Sequence, residues 1–507
     1  MVSFIHRSGQ RQLPGADDYS GGIGRIILFQ EYLVEDQILF YTLKTESFNQ
    51  EERIMPTYQQ HPSSFRDPSG FVFEEAGKLY RQVNSSYAGD YDLLMRSGLY
   101  AFLSEKNWLI PHTETELSTS DAENRYKIIL PQYIPFISYP YEWCFEQLQD
   151  AALLTLEIMK AAIDHGMVLK DANPYNIQFL SGKPVHIDTL SFEIYDEHHP
   201  WIAYRQFCEC FLYPLLAAKY TSMEVHRIFA AYPEGIPAKI VSGLLPAKAR
   251  LKLGNWLHVF LPASVSQGNQ QKKISFSRTK LLSIIEHLQN IIQSLRPSAK
   301  NDSIWDRYYE EEILSRDYLA SKEKIVSDLV KQEEYTSIMD LGCNQGLFSN
   351  IVAGKGSIIV AVDANANSIS HLYIDSRSKG LNILPLCIDL ANPPGNGGFS
   401  NRERKAFHER MQFQLCLALA IVHHLCIGKN VPFDHLAEFL SSFSNCLVIE
   451  FVSKEDEEVQ QLLRGRKDIF PHYNRQHFEN AFQKFFRVME STEVPGSTRR
   501  IYKMKKN

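Results

Sequence analysis

Ser337-Ile338-Met339-Asp340-Leu341-Gly342-Cys343-Asn344-Gln345-Gly346-Leu347-Phe348-Ser349-Asn350-Ile351-Val352 is the stretch on which the reading of this chain turns. It begins as a buried-strand pattern and ends as a helix, with Asp340-x-Gly342-x-x-x-Gly346 at the joint. Glycines at such a joint let the backbone turn sharply and come close to a ligand. The free N–H groups of the helix that follows favour an anion, such as the carboxylate of an amino acid. Open α/β sheets bind ligands at the carboxyl ends of their strands, and this loop falls at such an end.

Working outward, strand and helix patterns alternate, which predicts a parallel sheet with helices on both faces. A second strand over 357–362 runs into Asp363 and a third over 383–388 into Asp389. A fourth over 414–420 runs into Ile421-Val422-His423-His424, and a fifth covers 446–451. An acid after the second strand can accept hydrogen bonds from both hydroxyls of a ribose, and Asp389 is placed for an adenine amino group. Asp340, Asp363 and Asp389 at three successive strand ends are a stronger signal than the glycine loop alone. The Gly-x-Gly-x-x-Gly spacing of a nicotinamide dehydrogenase is absent.

Over residues 300–507 this pattern resembles the class I S-adenosylmethionine-dependent methyltransferases. The resemblance implies an α/β fold with a Rossmann-like seven-stranded sheet ending in an antiparallel hairpin. Phe486-Arg487-Val488-Met489-Glu490 and Arg500-Ile501-Tyr502-Lys503-Met504 are placed to supply that hairpin. It also implies S-adenosylmethionine as cofactor, held by Asp340, Gly342, Cys343, Asn344, Gly346, Asp363 and Asp389. Methyl transfer from a sulfonium is an in-line displacement, so positioning and exclusion of water are the main tasks. A hydroxyl or ammonium acceptor also needs a base, for which His423 or His424 is the candidate, unless the pair is only structural. Asn392-Pro393-Pro394 follows the third strand rather than the fourth, so it does not match the Asn-Pro-Pro motif of amino-methylating enzymes.

Upstream, His165-Gly166-Met167-Val168-Leu169-Lys170-Asp171-Ala172-Asn173-Pro174-Tyr175-Asn176 precedes Ile187-Asp188-Thr189-Leu190. This resembles the catalytic segment of protein-kinase-like and aminoglycoside-phosphotransferase-like folds, which implies an α+β domain. There Asp171 is the base, and Asn176 and Asp188 hold magnesium beside ATP. Arg81 stands where a phosphate-binding lysine is expected on a strand. Leu169-Lys170 replaces the usual His-Arg, Thr189-Leu190 replaces Phe-Gly, and no glycine-rich loop precedes the segment. An active small-molecule kinase, a nucleotide-binding pseudokinase and a docking domain for the methyl acceptor all fit. So does a plain turn built on Asp171, Asn173 and Pro174. Together with Tyr139-Pro140-Tyr141-Glu142-Trp143 and Asn176-Ile177-Gln178-Phe179, the arrangement resembles bacterial methyltransferases related to nodulation proteins. That implies a small-molecule or glycoconjugate acceptor, with a bifunctional kinase and methyltransferase, or a non-catalytic scaffold, as alternatives.

The resulting division is a segment of unknown role over 1–69, a kinase-like domain over 70–265, a linker and helix over 266–300, and the methyltransferase domain over 301–507. Within it, a strand pair is expected at 71–73 and 79–83, one helix over 91–103, a long helix over 146–165, and a polar linker over 264–280. The chain has 507 residues, 44% hydrophobic and 22% charged, enough for more than one core. Its net charge of -6 argues against general nucleic-acid binding. The terminal run Arg499-Arg500 and Lys503-Met504-Lys505-Lys506 is expected to be solvated, or a local basic patch. Eight cysteines without a Cys-x-x-Cys pair read as buried thiols, and no apolar run is long enough to span a membrane, so a cytoplasmic protein is expected.

Overall fold

Ala76 and Gly77, with φ of 48° and 71°, turn β1 (Gly70–Glu75) back onto β2 (Lys78–Asn84), the backbone that a two-residue hairpin demands. With β3 (His112–Thr115) and β4 (Arg125–Pro131) they form an antiparallel sheet in the order β1-β2-β4-β3. The computed structural model describes residues 60–117, 121–264, 277–298, 316–331, 333–355, 358–465 and 467–507. Most of the expected N-terminal segment and of the expected linker, residues 265–276, lie outside the described residues.

The single helix expected over 91–103 is two, Ala88–Arg96 and Leu99–Glu105. Gly98 between them sits at φ 84°, a left-handed conformation that ends one helix and starts the next. Of the leucines that suggested the helix, Leu94, Leu99 and Leu103 are buried and Leu93 is half-buried. A largely apolar buried face, which also takes in Gln147 and Thr155, makes the helix Phe145–Asp164 the spine of this half. After it come β5 (Met167–Leu169), a loop over 170–176, the hairpin β6 (Ile177–Leu180) and β7 (Lys183–His186), and β8 (Phe192–Ile194), which pairs with β5. The helix Arg278–Gln293 packs back on Phe145–Asp164.

The second sheet comprises β9 (Ser337–Leu341), β10 (Ile358–Asp363), β11 (Ile383–Cys387), β12 (Phe413–Ala418), β13 (Ser444–Phe451), β14 (Phe486–Glu493) and β15 (Arg500–Lys506). Its order is β11-β10-β9-β12-β13-β15-β14, parallel from β11 to β13, with β15 antiparallel to both neighbours. Every residue of β9 and β11 is buried, as strands covered on both faces require. All eight cysteines are free and buried.

The two sheets belong to one compact unit, Met55–Asn507. The helix Ala366–Lys379, which follows β10, lies against Phe145–Asp164: Tyr373 Oη donates to Asp150 Oδ2 at 2.7 Å, Arg377 pairs with Asp150, and Ser370 bonds Glu146. Nearby, Arg410 grips Glu142 through two hydrogen bonds of 2.6 and 2.8 Å, both side chains being buried. Trp143, Phe179 and Tyr373 continue the seam edge to face. The terminal charge run is not simply solvated: Arg499 and Lys503 are buried, because β15 runs through the sheet rather than along the surface.

Candidate functional site

The loop after β9 is tied to the end of β10. Gly342 N and Cys343 N both donate to Val362 O, at 2.9 and 3.0 Å, and Asn344 N donates to Asp363 Oδ2 at 2.9 Å. Gly342, Asn344 and Gly346 all have positive φ, of 70°, 48° and 82°. A Cβ at Gly346 would stand 2.3 Å from Leu372 Cδ1, so glycine is required there by packing as well as by backbone. The second Asp363 oxygen accepts from Asn365 N at 2.8 Å. Burial raises the Asp363 pKa, and the N–H groups of Asn365 and Asn344 oppose that rise.

In front of this loop is a cavity of about 620 Å³ at the carboxyl ends of β9 to β12, within the range of cofactor sites. Asp340, Gly342, Asn344, Asp363, Asp389 and His424 border it. Cys343 and Gly346, also expected to hold the cofactor, shape the turn from behind without facing the cavity. Asp340 is buried in β9 and accepts from Ser349 Oγ at 2.6 Å. Burial pushes its carboxyl up to about 6 against the Ser349 hydrogen bond, with Asp363 adding to the rise.

The two histidines part ways. His424 borders the cavity, and burial, then the charge of Arg499, lowers its pKa to about 4. His423 is fully buried behind it, with both ring nitrogens lacking a hydrogen-bond partner among the described residues. Its ring centroid lies 4.1 Å from that of His424, and burial and then His424 hold its pKa well below the usual histidine value.

A buried charged cluster on the same wall was not singled out from sequence. Glu450, at the end of β13, accepts from Lys322 Nζ at 2.6 Å and Tyr318 Oη at 3.0 Å. Arg499 donates to Tyr318 Oη at 3.1 Å and grips Asp456 at 2.8 and 2.9 Å. Tyr318 and Lys322, on the helix Arg316–Lys331, border the cavity. Burial lowers the Lys322 pKa, and Glu450 counters it. The one readable signal was an acid inside the apolar run Cys446-Leu447-Val448-Ile449-Glu450-Phe451.

The kinase-like residues also meet. Arg81 in β2 pairs with Asp188 Oδ1 at 2.5 Å and Asp67 at 3.1 Å, while Leu190 N and Ser191 Oγ donate to the two Asp188 oxygens at 2.9 and 2.8 Å. Asn176 Nδ2 donates to Asp171 Oδ2 at 3.0 Å and Ser191 Oγ at 3.3 Å. Burial and then Asp188 raise the Asp171 pKa; at Asp188 burial is again the largest influence and acts the same way, but Arg81, His186 and the hydrogen bonds from Leu190 N and Ser191 together outweigh it, leaving the carboxyl below its ordinary value. A cation therefore already stands on Asp188. This arrangement does not fit a magnesium ion, and no cluster of three or more His, Cys, Asp or Glu side chains suited to a metal occurs among the described residues. The Arg404 guanidinium, from the segment between β11 and β12, lies 5.2 Å over the ring of Tyr175 in the same loop.

No family model matches the chain. It is 32% identical over 454 residues to nodulation protein NoeA of Rhizobium meliloti (strain 1021), covering 87% of this chain and 94% of that protein. Among solved structures it is similar to N-methyltransferase NodS from Bradyrhizobium japonicum WM9, at 9% identity over 38% of this chain and 98% of that one, TM-score 0.30. It is also similar to the bifunctional kinase-methyltransferase WbdD, at 17% identity over 38% of each chain, TM-score 0.26. At these TM-scores the structural likenesses carry no argument about chemistry. Among the described residues no helix is long and apolar enough to cross a membrane.

Proposed function

The chain belongs to the family of nodulation protein NoeA, and from that premise we propose that it is an S-adenosylmethionine-dependent methyltransferase acting on a small molecule or glycoconjugate. The observation that carries this is the cavity at the strand ends, onto which Asp340, Asp363 and Asp389 converge beside the Gly342–Gly346 turn. Asp363, oriented by two backbone N–H groups, accepts from the ribose hydroxyls, and Asp389 from the adenine amino group. The amino-acid end lies along Gly342 and Asn344, near Asp340.

The bound cofactor supplies an electrophilic methyl group; the chain supplies position, dryness and a proton acceptor. Tyr318, Lys322 and His424 form the acceptor wall. His424 is neutral at neutral pH and is the proton acceptor of this wall, although burial, by lowering its pKa to about 4, makes it a weak base for the proton that a hydroxyl or ammonium acceptor loses. Calorimetry with S-adenosylhomocysteine tests the cofactor: the wild-type chain binds it, and Gly342→Arg or Asp363→Ala abolishes the heat. Absence of binding at millimolar ligand would end the proposal. The acceptor is sought as metabolites that gain a methyl group in cells carrying the protein.

For residues 70–265 the same reading gives a kinase-shaped body that presents the acceptor, because Arg81 occupies Asp188. The bifunctional alternative requires magnesium-dependent ATP consumption that disappears in Asp188→Ala.

A further inference from the structure

One wall of the cavity does not come from the second sheet or its helices. Glu224 and Arg227, at the start of the helix Val225–Ala231, border it although they lie upstream of the methyltransferase-like residues. That helix buries Val225, Ile228 and Phe229, and it packs on the helix Tyr213–Tyr220 and on the turn Pro140–Glu142. Glu142 is in turn clamped by Arg410. The helix is thus anchored by the kinase-like half while Glu224 and Arg227 face the cavity.

Their place along the cavity follows from what that helix packs on. The turn Pro140–Glu142, on which this helix packs, lies against β11, and Cys387 at the end of β11 lies opposite Asp363 in the sheet register. Asp363, Asn365 and Asp389, which end or follow β10 and β11, border the cavity with Glu224 and Arg227. Two of the three acids here, Glu224 and Asp389, carry an exposed cation: Arg227 Nε pairs with Glu224 Oε2 at 2.5 Å, and Lys429 Nζ stands 3.9 Å from Asp389 Oδ2. Adenosine presents an amino group and two hydroxyls, all donors, to which a carboxylate held in place by a neighbouring cation is complementary.

We propose that Glu224, positioned by Arg227, is an adenosine-binding residue of the cofactor site, so that the kinase-like half completes the methyltransferase pocket. The inference rests on the cofactor assignment above, and the experiment separates the two. Calorimetry on the full chain uses S-adenosylhomocysteine and 5′-methylthioadenosine, which keeps the adenosine and lacks the amino-acid end. Glu224→Ala is expected to weaken both ligands about tenfold, the loss of one hydrogen bond to a charged group, and Arg227→Ala to weaken both by a smaller factor. If Glu224→Ala melts early, Glu224→Gln keeps the shape without the charge and gives the same readout. Wild-type binding with unchanged affinities in the variants overturns the role of Glu224, and so does a loss confined to S-adenosylhomocysteine. Failure of the wild-type chain to bind S-adenosylhomocysteine overturns the cofactor assignment instead, and this inference with it.

Discussion

The kinase-like cluster and the methyltransferase-like cavity both gather acids at loop ends, yet they use them in opposite ways. Around Asp188 the polar atoms bond one another: Arg81, Ser191 and Leu190 N serve Asp188, and Asn176 serves Asp171 and Ser191. Around Asp363 the backbone orients the carboxylate, but a cavity of about 620 Å³ stands beside it. The Asp188 carboxylate is taken up by bonds that contribute to stability, although Asp171 Oδ1 and Arg81 Nε beside it have no hydrogen-bond partner among the described residues, whereas Asp363 is held in place and left facing a void, as a ligand site requires.

The strongest way to break the contrast is at Gly346. Gly346→Val forces a β-branched residue to a φ of 82° with its Cβ 2.3 Å from Leu372, so S-adenosylhomocysteine binding should fall more than about 100-fold by calorimetry. Next comes Glu450→Ala, which leaves Lys322 and Arg499 buried beside a missing partner. It should cost about 3–5 kcal/mol in urea unfolding. The two acids then form a crossed pair. Asp363→Ala should remove cofactor binding with a small change in stability. Asp188→Ala should cost about 3 kcal/mol, since Arg81 is only 13% exposed, and leave S-adenosylhomocysteine affinity unchanged. If Asp188→Ala instead weakens the cofactor as much as Asp363→Ala does, the distinction between the clusters is wrong.

What was legible in the sequence follows the range of the forces involved. The central strands read as apolar runs with acids at their ends, so Asp340, Asp363 and Asp389 were found, and all three border the cavity. Asp171, Asn176 and Asp188 were singled out through a motif and Arg81 by its place on a strand, and the structure brings the four side chains together through Ser191. Tyr318, Lys322, Glu450 and Arg499 were not, because the hydrogen bonds of Tyr318 and Lys322 to Glu450 and Arg499 join residues 128 to 181 positions apart and exist only once β13 and β15 pair. Glu224 and Arg227 were missed for the same reason, since the seam that places them runs between the halves. One helix was expected over 91–103, and the left-handed φ of Gly98 breaks it into two instead.

The smallest expected effect sharpens the comparison through pH. Burial raises the Asp340 pKa to about 6, while at Asp188 burial is outweighed by Arg81, His186 and the hydrogen bonds from Leu190 N and Ser191 taken together, which leave it below its ordinary value. Bound ligand brings an ammonium group toward Asp340 and so favours the ionised form; below about pH 6 binding must release a proton. Affinity for S-adenosylhomocysteine should therefore be flat from pH 8 to about 6 and fall toward tenfold per unit beneath it. Calorimetry in buffers of different ionisation heat would count the proton, and Asp340→Asn should remove the slope. The stability contribution has the opposite sense: a carboxyl with a raised folded pKa favours the folded chain as pH falls through about 6 toward its unfolded value. His424, lowered to about 4, disfavours the folded chain as pH falls from 6.5 toward 4. A slope that persists in Asp340→Asn and vanishes in His424→Ala would move the proton to the acceptor wall and leave Asp340 a structural acid like those around Asp188.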